Sequence, residues 1–405
     1  MFIPELQALV TATVTPASCF DAMMTDIGSA LNGLGVVTRT LLHASDYPNP
    51  ALMKALVLQL RDGGLPGVVV NCNAKDELIL EHRDGNPLTI HDAWNIPLIA
   101  FMADHPACHV EYLRRAPENA VITVIDEGHL TFLEDAGFRP RTRIFCPHGG
   151  PEPLPVMRRA EERGIDLLMV GLVDDPGPFT RWLNEEIGAR GPARRAIAEA
   201  YSEVREEGRE VYAALVEAYG RARLDARPLA LAKNVAALDA FATRTRRLEV
   251  LRAIKDRRVV IAGEVAPSAG LDHHDIRGPV VFAKALSMMS DARILLNSRW
   301  TYGRGAHERV FYGMSRGAVV ATEDGSFLRD ELRRQAGMVA LPRHPVEIND
   351  MLCTLCEAPD RLNAIRERGL SEYVKRHSWR ERAVRMITAL GPHFNAPYFG
   401  AAHPV

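Results

Sequence analysis

The sequence predicts an α/β protein of two doubly wound parallel sheets, one in each half, with a helical insertion in the second. Three observations predict it. Short β-branched runs alternate with amphipathic segments through both halves, the pattern of parallel βαβ units. The stretch 178–257 holds no strand-like run and is rich in Ala, Glu, Arg and Leu, which favour helix. The length, 405 residues, suits two or three domains better than one core.

In the first half the expected strands are Leu9–Val14, Gly35–Leu42, Gly67–Asn71, Leu98–Met102, Ala120–Ile125 and Thr142–Cys146. Helical or loop segments at 21–33, 50–62, 107–115 and 128–136 separate them. Segment 73–95 breaks the alternation, and its Asp84-Gly85-Asn86-Pro87 predicts a hairpin-like excursion. The join falls at Pro147-His148-Gly149-Gly150-Pro151-Glu152-Pro153, where Pro and Gly end a strand and permit a turn. This sets domains of 1–150 and 151–405.

The second half opens with the buried strand IDLLMVG at 165–171. After the insertion come strands Val259–Ala262 and Val280–Phe282, a helix at 283–290 and strand Arg293–Asn297. A helix at 306–315, strands Ala318–Thr322 and Met338–Leu341, and helices near 345–357, 360–376 and 379–389 finish the chain. Within the insertion, Ala200, Val204, Val211, Leu215 and Ala218 recur at helical spacing. Two such sheets facing each other place their strand carboxyl ends at a shared cleft, where open parallel sheets bind ligands.

Apolar residues make up 47% and charged residues 25%, which excludes a disordered chain, a collagen-like fibre and a small disulfide scaffold. The net charge of −2 gives no global field toward nucleic acid or anionic membrane. It is a cancellation, since residues 1–150 carry a net −7 and residues 190–258 a net +6. The basic segment reads as solvated helical faces or as a docking surface for an acidic partner. The N-terminal MFIPELQALVTATVTPAS lacks a basic n-region, with Glu5 where positive charge would stand. No run of about 18 apolar residues exists to span a membrane. The protein is therefore expected to be cytoplasmic. Cys19, Cys72, Cys108 and Cys146 are scattered in or beside apolar runs. Cys353 and Cys356 lack the second pair of a zinc site, so free, buried thiols are expected.

The most informative stretch is LLNSRWTYGRGAHERVFYGMSRGAVVATEDGSF, 295–327. A strand ends at Asn297, a polar loop holds Arg299, Tyr302, Gly303, Arg304 and Gly305, and a helix starts near His307. A helix N-terminus with arginines beside it suits an anion. A second loop, Glu323-Asp324-Gly325-Ser326, follows the next strand. In the first half Asp104-His105-Pro106 follows a strand. This pair reads either as a general base, His105 or Asp104, or as a helix start capped by Asp104 with His105 in its first turn. Asp126-Glu127-Gly128-His129 reads foremost as a cap. The backbone of His148-Gly149-Gly150 could come close to a phosphate or sugar. No D-x-D motif is present, His105 and His109 at i,i+4 lack a third ligand, and Asp272-His273-His274-Asp275 reads as a solvent-exposed loop, so no metal is expected. Gly28, Gly33 and Gly35 form no dinucleotide fingerprint.

The segment HERVFYGMSRGAVVATEDGSFLRDEL resembles the nucleotide-sugar-binding half of GT-B glycosyltransferases, most nearly the CgeB-type, family 1-like branch. IDLLMVG and LEVLRAIKDRRVVIAGE resemble the opening strands of that half, and FMADHPACHVEYL and FCPHGG resemble the other half loosely. The resemblance implies metal-independent transfer of a sugar from a nucleotide-diphosphate donor to a glycan, protein or small-molecule acceptor. The second domain would take the donor and the first the acceptor, without a bound cofactor. Arg309 and His307 would meet the diphosphate, helped by Arg304 and Arg299, and Glu308 or Glu323 would meet sugar hydroxyls. His148 and Gly149 would lie near the ligand. The sequence departs from the pattern at Tyr312, where the family often has a carboxylate, which leaves the ribose contact open. An epimerase or donor hydrolase on the same architecture, or an inactive binding protein, are the rival readings.

Overall fold

A computed structural model describes residues 6–14, 19–44, 64–75, 78–83, 86–188, 190–299 and 301–391. The expected helix at 50–62, Glu5, and the turn residues Asp84 and Gly85 lie outside the described residues. The chain divides into two units, residues 1–125 with 137–146 and 379–405, and residues 126–136 with 147–378.

The first unit holds six parallel strands: β1 Gln7–Val14, β2 Val37–Ala44, β3 Val68–Cys72, β6 Leu98–Met102, β7 Val121–Val124 and β8 Thr142–Phe145. Their order is β2-β1-β3-β6-β7-β8. Strands β3, β6 and β7 are buried along their length, as expected of a parallel sheet covered on both faces. The excursion in 73–95 is a two-stranded antiparallel ribbon, β4 Ile79–Arg83 with β5 Asn86–Thr89.

The second unit holds β9 Ile165–Val170, β10 Val259–Ala262, β11 Asp275–Ile276, β12 Ala292–Leu296, β13 Val319–Thr322 and β14 Val339–Ala340. Their order is β11-β10-β9-β12-β13-β14, all parallel. The sequence order reverses between β9 and β12, which makes the space beyond their carboxyl ends the topological switch point. Leu167, Met169, Ile261, Ile294 and Leu296 form the core of this sheet with Leu248 and Leu251 of the insertion.

The expected strand Val280–Phe282 is not one. Pro279 offers no N–H to a ladder, Val281 is exposed, and Phe282 opens the helix Phe282–Asp291. The strand beside β10 is the shorter Asp275–Ile276. The expected solvent-exposed 272–275 loop is anchored too: His274 is buried, with Nε2 2.9 Å from Leu251 O and Nδ1 accepting from Val259 N. The last helix, Trp379–Leu390, belongs to the first unit rather than to the 151–405 domain expected from sequence. The helix packs on the helix Phe20–Gly33, and Trp379 is buried with its ring edge-on to Phe101 of β6 at 5.4 Å.

The insertion forms helices Gly177–Trp182, Pro192–Glu207, Val211–Arg221 and Pro228–Ala253. Proline in the first turn sets the start of the two longest, where its missing N–H has no partner to lose. Much of its basic charge is neutralised internally. Arg209 pairs with Glu203 and Glu217, and Arg221 with Glu199, Glu203 and Glu217. Arg246 and Arg247 do not lie on a solvated face; both are buried. Cys356 and Cys146 are buried free thiols, and Cys108 is exposed.

Candidate functional site

The switch point of the second sheet collects cations. β9 runs into Gly171, whose φ of +118° is open to glycine and costly for other residues. A side chain there would also meet Arg309 Nη2 at 3.2 Å and Arg247 Nη1 at 3.7 Å, so two guanidinium groups converge on this residue. Gly263, at the end of β10, backs it: a Cβ there would stand 2.1 Å from Gly171 O. Arg247 is 6% exposed. Burial, then the cations of Arg309 and Arg299, lower its pKa to about 9, which still leaves it charged at neutral pH. It donates to Leu172 O, but its Nε is buried without a partner among the described residues, as is Nη1 of Arg309. Buried donors of this kind carry a desolvation cost that a bound anion would offset.

Beside them His307 caps the helix Glu308–Ser315, its Nδ1 3.4 Å from Arg309 N. Nδ1 also lies 2.5 Å from Glu308 Oε2, while Arg309 Nη2 is 3.4 Å from Nε2 and Arg309 Nε is 3.6 Å from Glu308 Oε1. A neutral ring that donates from Nδ1 to the carboxylate and accepts at Nε2 from the guanidinium satisfies the shortest of these contacts. Burial, with Arg309 adding to it, pushes His307 down to about 3, which favours that neutral ring. Burial raises Glu308, but His307 and Arg309 outweigh it and hold the carboxyl well below its usual range. Glu308 is thus an internal counterion to Arg309 rather than an open acceptor for sugar hydroxyls. His148 is buried, its Nε2 3.9 Å from Glu308 Oε2 and its ring 6.0 Å from that of His307.

Other expected site residues have protein partners. Glu323 accepts from Arg246 Nε at 2.9 Å and from Arg299 N at 2.7 Å, so one oxygen is held by the insertion helix and the other braces the loop after β12. Arg299 donates to Asp239 Oδ2 at 3.0 Å and lies over the Tyr302 ring at 4.0 Å. The Arg304 side chain is half-exposed, 3.4 Å from Glu127. Its N–H and that of Gly128 donate to the two oxygens of Asp126. Asp126 therefore does more than shape its own turn, because it also ties down the Arg304-Gly305 loop. Burial lifts its carboxyl to about 6 against those hydrogen bonds. Gly149 is buried, and the neighbouring Gly150 serves packing: a Cβ there would stand 2.6 Å from Tyr373 Oη and 3.0 Å from the Phe311 backbone. Tyr312, at the family's carboxylate position, is fully buried edge-on to Phe282.

In the first unit β6 leads to Ala103, whose N–H donates to Asn73 Oδ1 at 2.7 Å. Asp104 follows, 39% exposed, its Oδ2 3.1 Å from Asn73 Nδ2 and 3.4 Å from His109 Nε2. The cap of the next turn is His105 and not Asp104, because His105 Nδ1 accepts from Ala107 N at 3.0 Å. That bond leaves the proton of the neutral ring on Nε2, which then donates. His105 is thereby disfavoured as a base, and the partly exposed Asp104, held by Asn73 and His109, is the other candidate at this strand end.

Sequence reasoning missed Arg247 and Gly171. The Gly at the end of IDLLMVG was visible as a strand end, but Arg247 lay inside a basic helical run that reads as a wet face. The signal for it was its place directly before the apolar Leu248, Val250 and Leu251.

Residues 244–388 match the family described as Glycosyl transferase-like. An alpha-glucosyltransferase solved with UDP and a 13-mer DNA containing an HMU base has a similar structure, at 8% identity and a TM-score of 0.52, covering 95% of this chain and 99% of that one. The sucrose-phosphate synthase of Thermosynechococcus elongatus is similar at 9% identity and a TM-score of 0.50, covering 95% and 98%. Another structure of an alpha-glucosyltransferase with UDP is similar at 9% identity and a TM-score of 0.50, covering 92% and 96%. No curated protein sequence matches the chain. The chain has the GT-B fold, and its residues 244–388 carry a glycosyl transferase-like sequence. No helix among the described residues is long and apolar enough to cross a membrane.

Proposed function

We propose that the protein transfers a sugar from a nucleoside-diphosphate sugar to an acceptor hydroxyl. The observation that carries this reading is the convergence of Arg247 and Arg309 on Gly171 at the switch point, each with a buried donor that no group among the described residues meets. In the reaction the bond between the anomeric carbon and the diphosphate oxygen breaks, and a new bond forms to the acceptor oxygen. Negative charge gathers on the leaving diphosphate. Two fixed guanidinium groups in a desolvated setting would stabilise that charge without reorganising, the kind of term worth several kcal/mol in catalysis. With two cations already in place, the reading needs no divalent metal to balance the leaving group. The UDP carried by two of the structurally similar glucosyltransferases is consistent with a nucleotide donor.

The acceptor proton would go to Asp104. Its carboxylate is accessible, and Asn73 and His109 orient it.

A thermal-shift panel of nucleotides and nucleotide sugars, followed by product analysis with any that bind, tests the proposal. A ligand that binds the native state raises the melting point. The expected result is stabilisation by at least one nucleoside diphosphate and, with its sugar conjugate and excess EDTA, glycosylated product. Stabilisation by none of them would remove the donor reading. Turnover that yields only free sugar or an epimerised donor would replace transfer with hydrolysis or epimerisation.

A further inference from the structure

The insertion helix Pro228–Ala253 carries three buried polar side chains at a spacing of four residues: Asp239, Thr243 and Arg247. Four residues advance a helix by about 6 Å and slightly more than one turn, so the three form a row about 12 Å long on one face. Leu238, Ala242 and Leu248 beside them are buried in the ordinary apolar way. A polar row turned inward has a desolvation cost unless it is met by partners.

This row is only partly met. Oδ2 of Asp239 accepts from Arg299, but Oδ1 is buried with no partner among the described residues. The Thr243 hydroxyl is equally without a partner, although a helical threonine can bond back to its own helix. Arg247 Nε is the third such atom, at the end of the row that meets Arg309 beside Gly171. Ser298 Oγ and Thr301 Oγ1, on the loop after β12 that also holds Arg299, are buried and unmet as well.

We propose that the row binds one extended ligand: the diphosphate at Arg247, and hydroxyls of a sugar ring joined to that diphosphate at Thr243 and Asp239. The chemistry assigns the ends. A guanidinium only donates and so takes anionic oxygens; an ionised carboxylate only accepts and so takes hydroxyls; a threonine hydroxyl does both. A simple anion would leave the acidic end unused. The inference rests on the donor reading above and makes the insertion a wall of the donor site. The ring is either the ribose of the nucleotide or the sugar that is transferred.

Calorimetric titration separates these cases. The probes are pyrophosphate and the ribo-, 2′-deoxyribo- and glucose-linked forms of uridine, adenosine and guanosine diphosphate. The variants are Asp239→Asn and the near-isosteric Thr243→Val, each checked for a native circular-dichroism spectrum. The expected result is pyrophosphate affinity within about twofold of the parent protein. Affinity for a nucleotide or nucleotide sugar should fall about tenfold or more in Asp239→Asn, as for losing a hydrogen bond to a charged group. A loss seen with the ribonucleotide and not its deoxy form assigns the ribose; a loss confined to the glucose conjugate assigns the transferred sugar. Unchanged affinity for every probe in both variants, or an equal loss for pyrophosphate, overturns the row and leaves the donor reading standing. A parent protein that binds none of the probes overturns the donor reading itself.

Discussion

In each unit a histidine caps the first helical turn after a strand, three residues beyond β6 and 11 beyond β12, and the two histidines live in opposite settings. His105 accepts one backbone N–H at 3.0 Å, and its neighbour Asp104 reaches solvent. His307 sits at 3.4 Å from its cap N–H and is drawn instead to a buried carboxylate on one side and a buried guanidinium on the other. The same cap position therefore serves two ends. In the first unit it fixes a tautomer beside a carboxylate that reaches solvent. In the second it forms part of a buried charge network that holds Arg309 in place. Burial of charge, not residue type, separates a strand end suited to proton transfer from one suited to an anion.

The contrast can be broken at four points. The largest effect belongs to the first unit. Asp104→Asn removes the proton acceptor, and turnover should fall by about 10²–10⁴, with donor affinity unchanged by calorimetry. Retained turnover would remove Asp104 from the base role.

Next comes Arg247→Met, which should move binding and stability in opposite directions. No carboxylate is paired with this buried cation among the described ion pairs, so an apolar side chain of similar volume should leave the ligand-free melting point equal or higher. Pyrophosphate affinity should fall about 10–100-fold, as for losing a charge-assisted hydrogen bond of about 1.5–3 kcal/mol. A large drop in melting point without ligand would mark Arg247 as structural.

Gly171→Ala should cost about 1–3 kcal/mol in chemical denaturation, because φ at +118° strains any side chain and the new methyl presses on Arg309. An unchanged midpoint would contradict the close approach of the two guanidinium groups.

The smallest effect is a pH slope. His307 is held down to about 3, against an unfolded value near 6.5. The unfolded chain therefore binds more protons between those values, so this group's stabilisation is complete above about 6.5 and fades as pH falls toward 3. Glu308, held low, loses its contribution in the same direction. Asparagine is a good cap, so His307→Asn keeps the helix start. Its stability deficit relative to the parent should narrow from pH 7 to pH 4. A constant deficit would sever the link between cap and charge.

Much of this was legible in sequence because it is local. Strand runs such as Leu98–Met102 and Val259–Ala262 match the structure residue for residue, since a buried parallel strand is written in one continuous apolar stretch. The two helix starts were visible where a strand gives way to a polar segment, but the first cap was read as Asp104 and the structure gives it to His105. What was hidden is non-local. Arg246 and Arg247 look like the solvated face of a basic helix until Glu323, Gly171 and Arg309, far along the chain, are folded against them. Glu323 looked free for a ligand because its partner Arg246 is 77 residues away; Glu308 pairs with its own neighbours His307 and Arg309, and what stayed hidden was the burial that forces them together. The final helix changed units because it packs on the helix Phe20–Gly33 and sets Trp379 against Phe101, 278 residues away.

A crystal structure with UDP, or whichever nucleoside diphosphate stabilises the protein, tests the central claim most directly. The account predicts diphosphate oxygens within about 3 Å of the guanidinium groups of both Arg247 and Arg309, beside Gly171. A diphosphate bound elsewhere, with those two arginines untouched by it, would contradict the account.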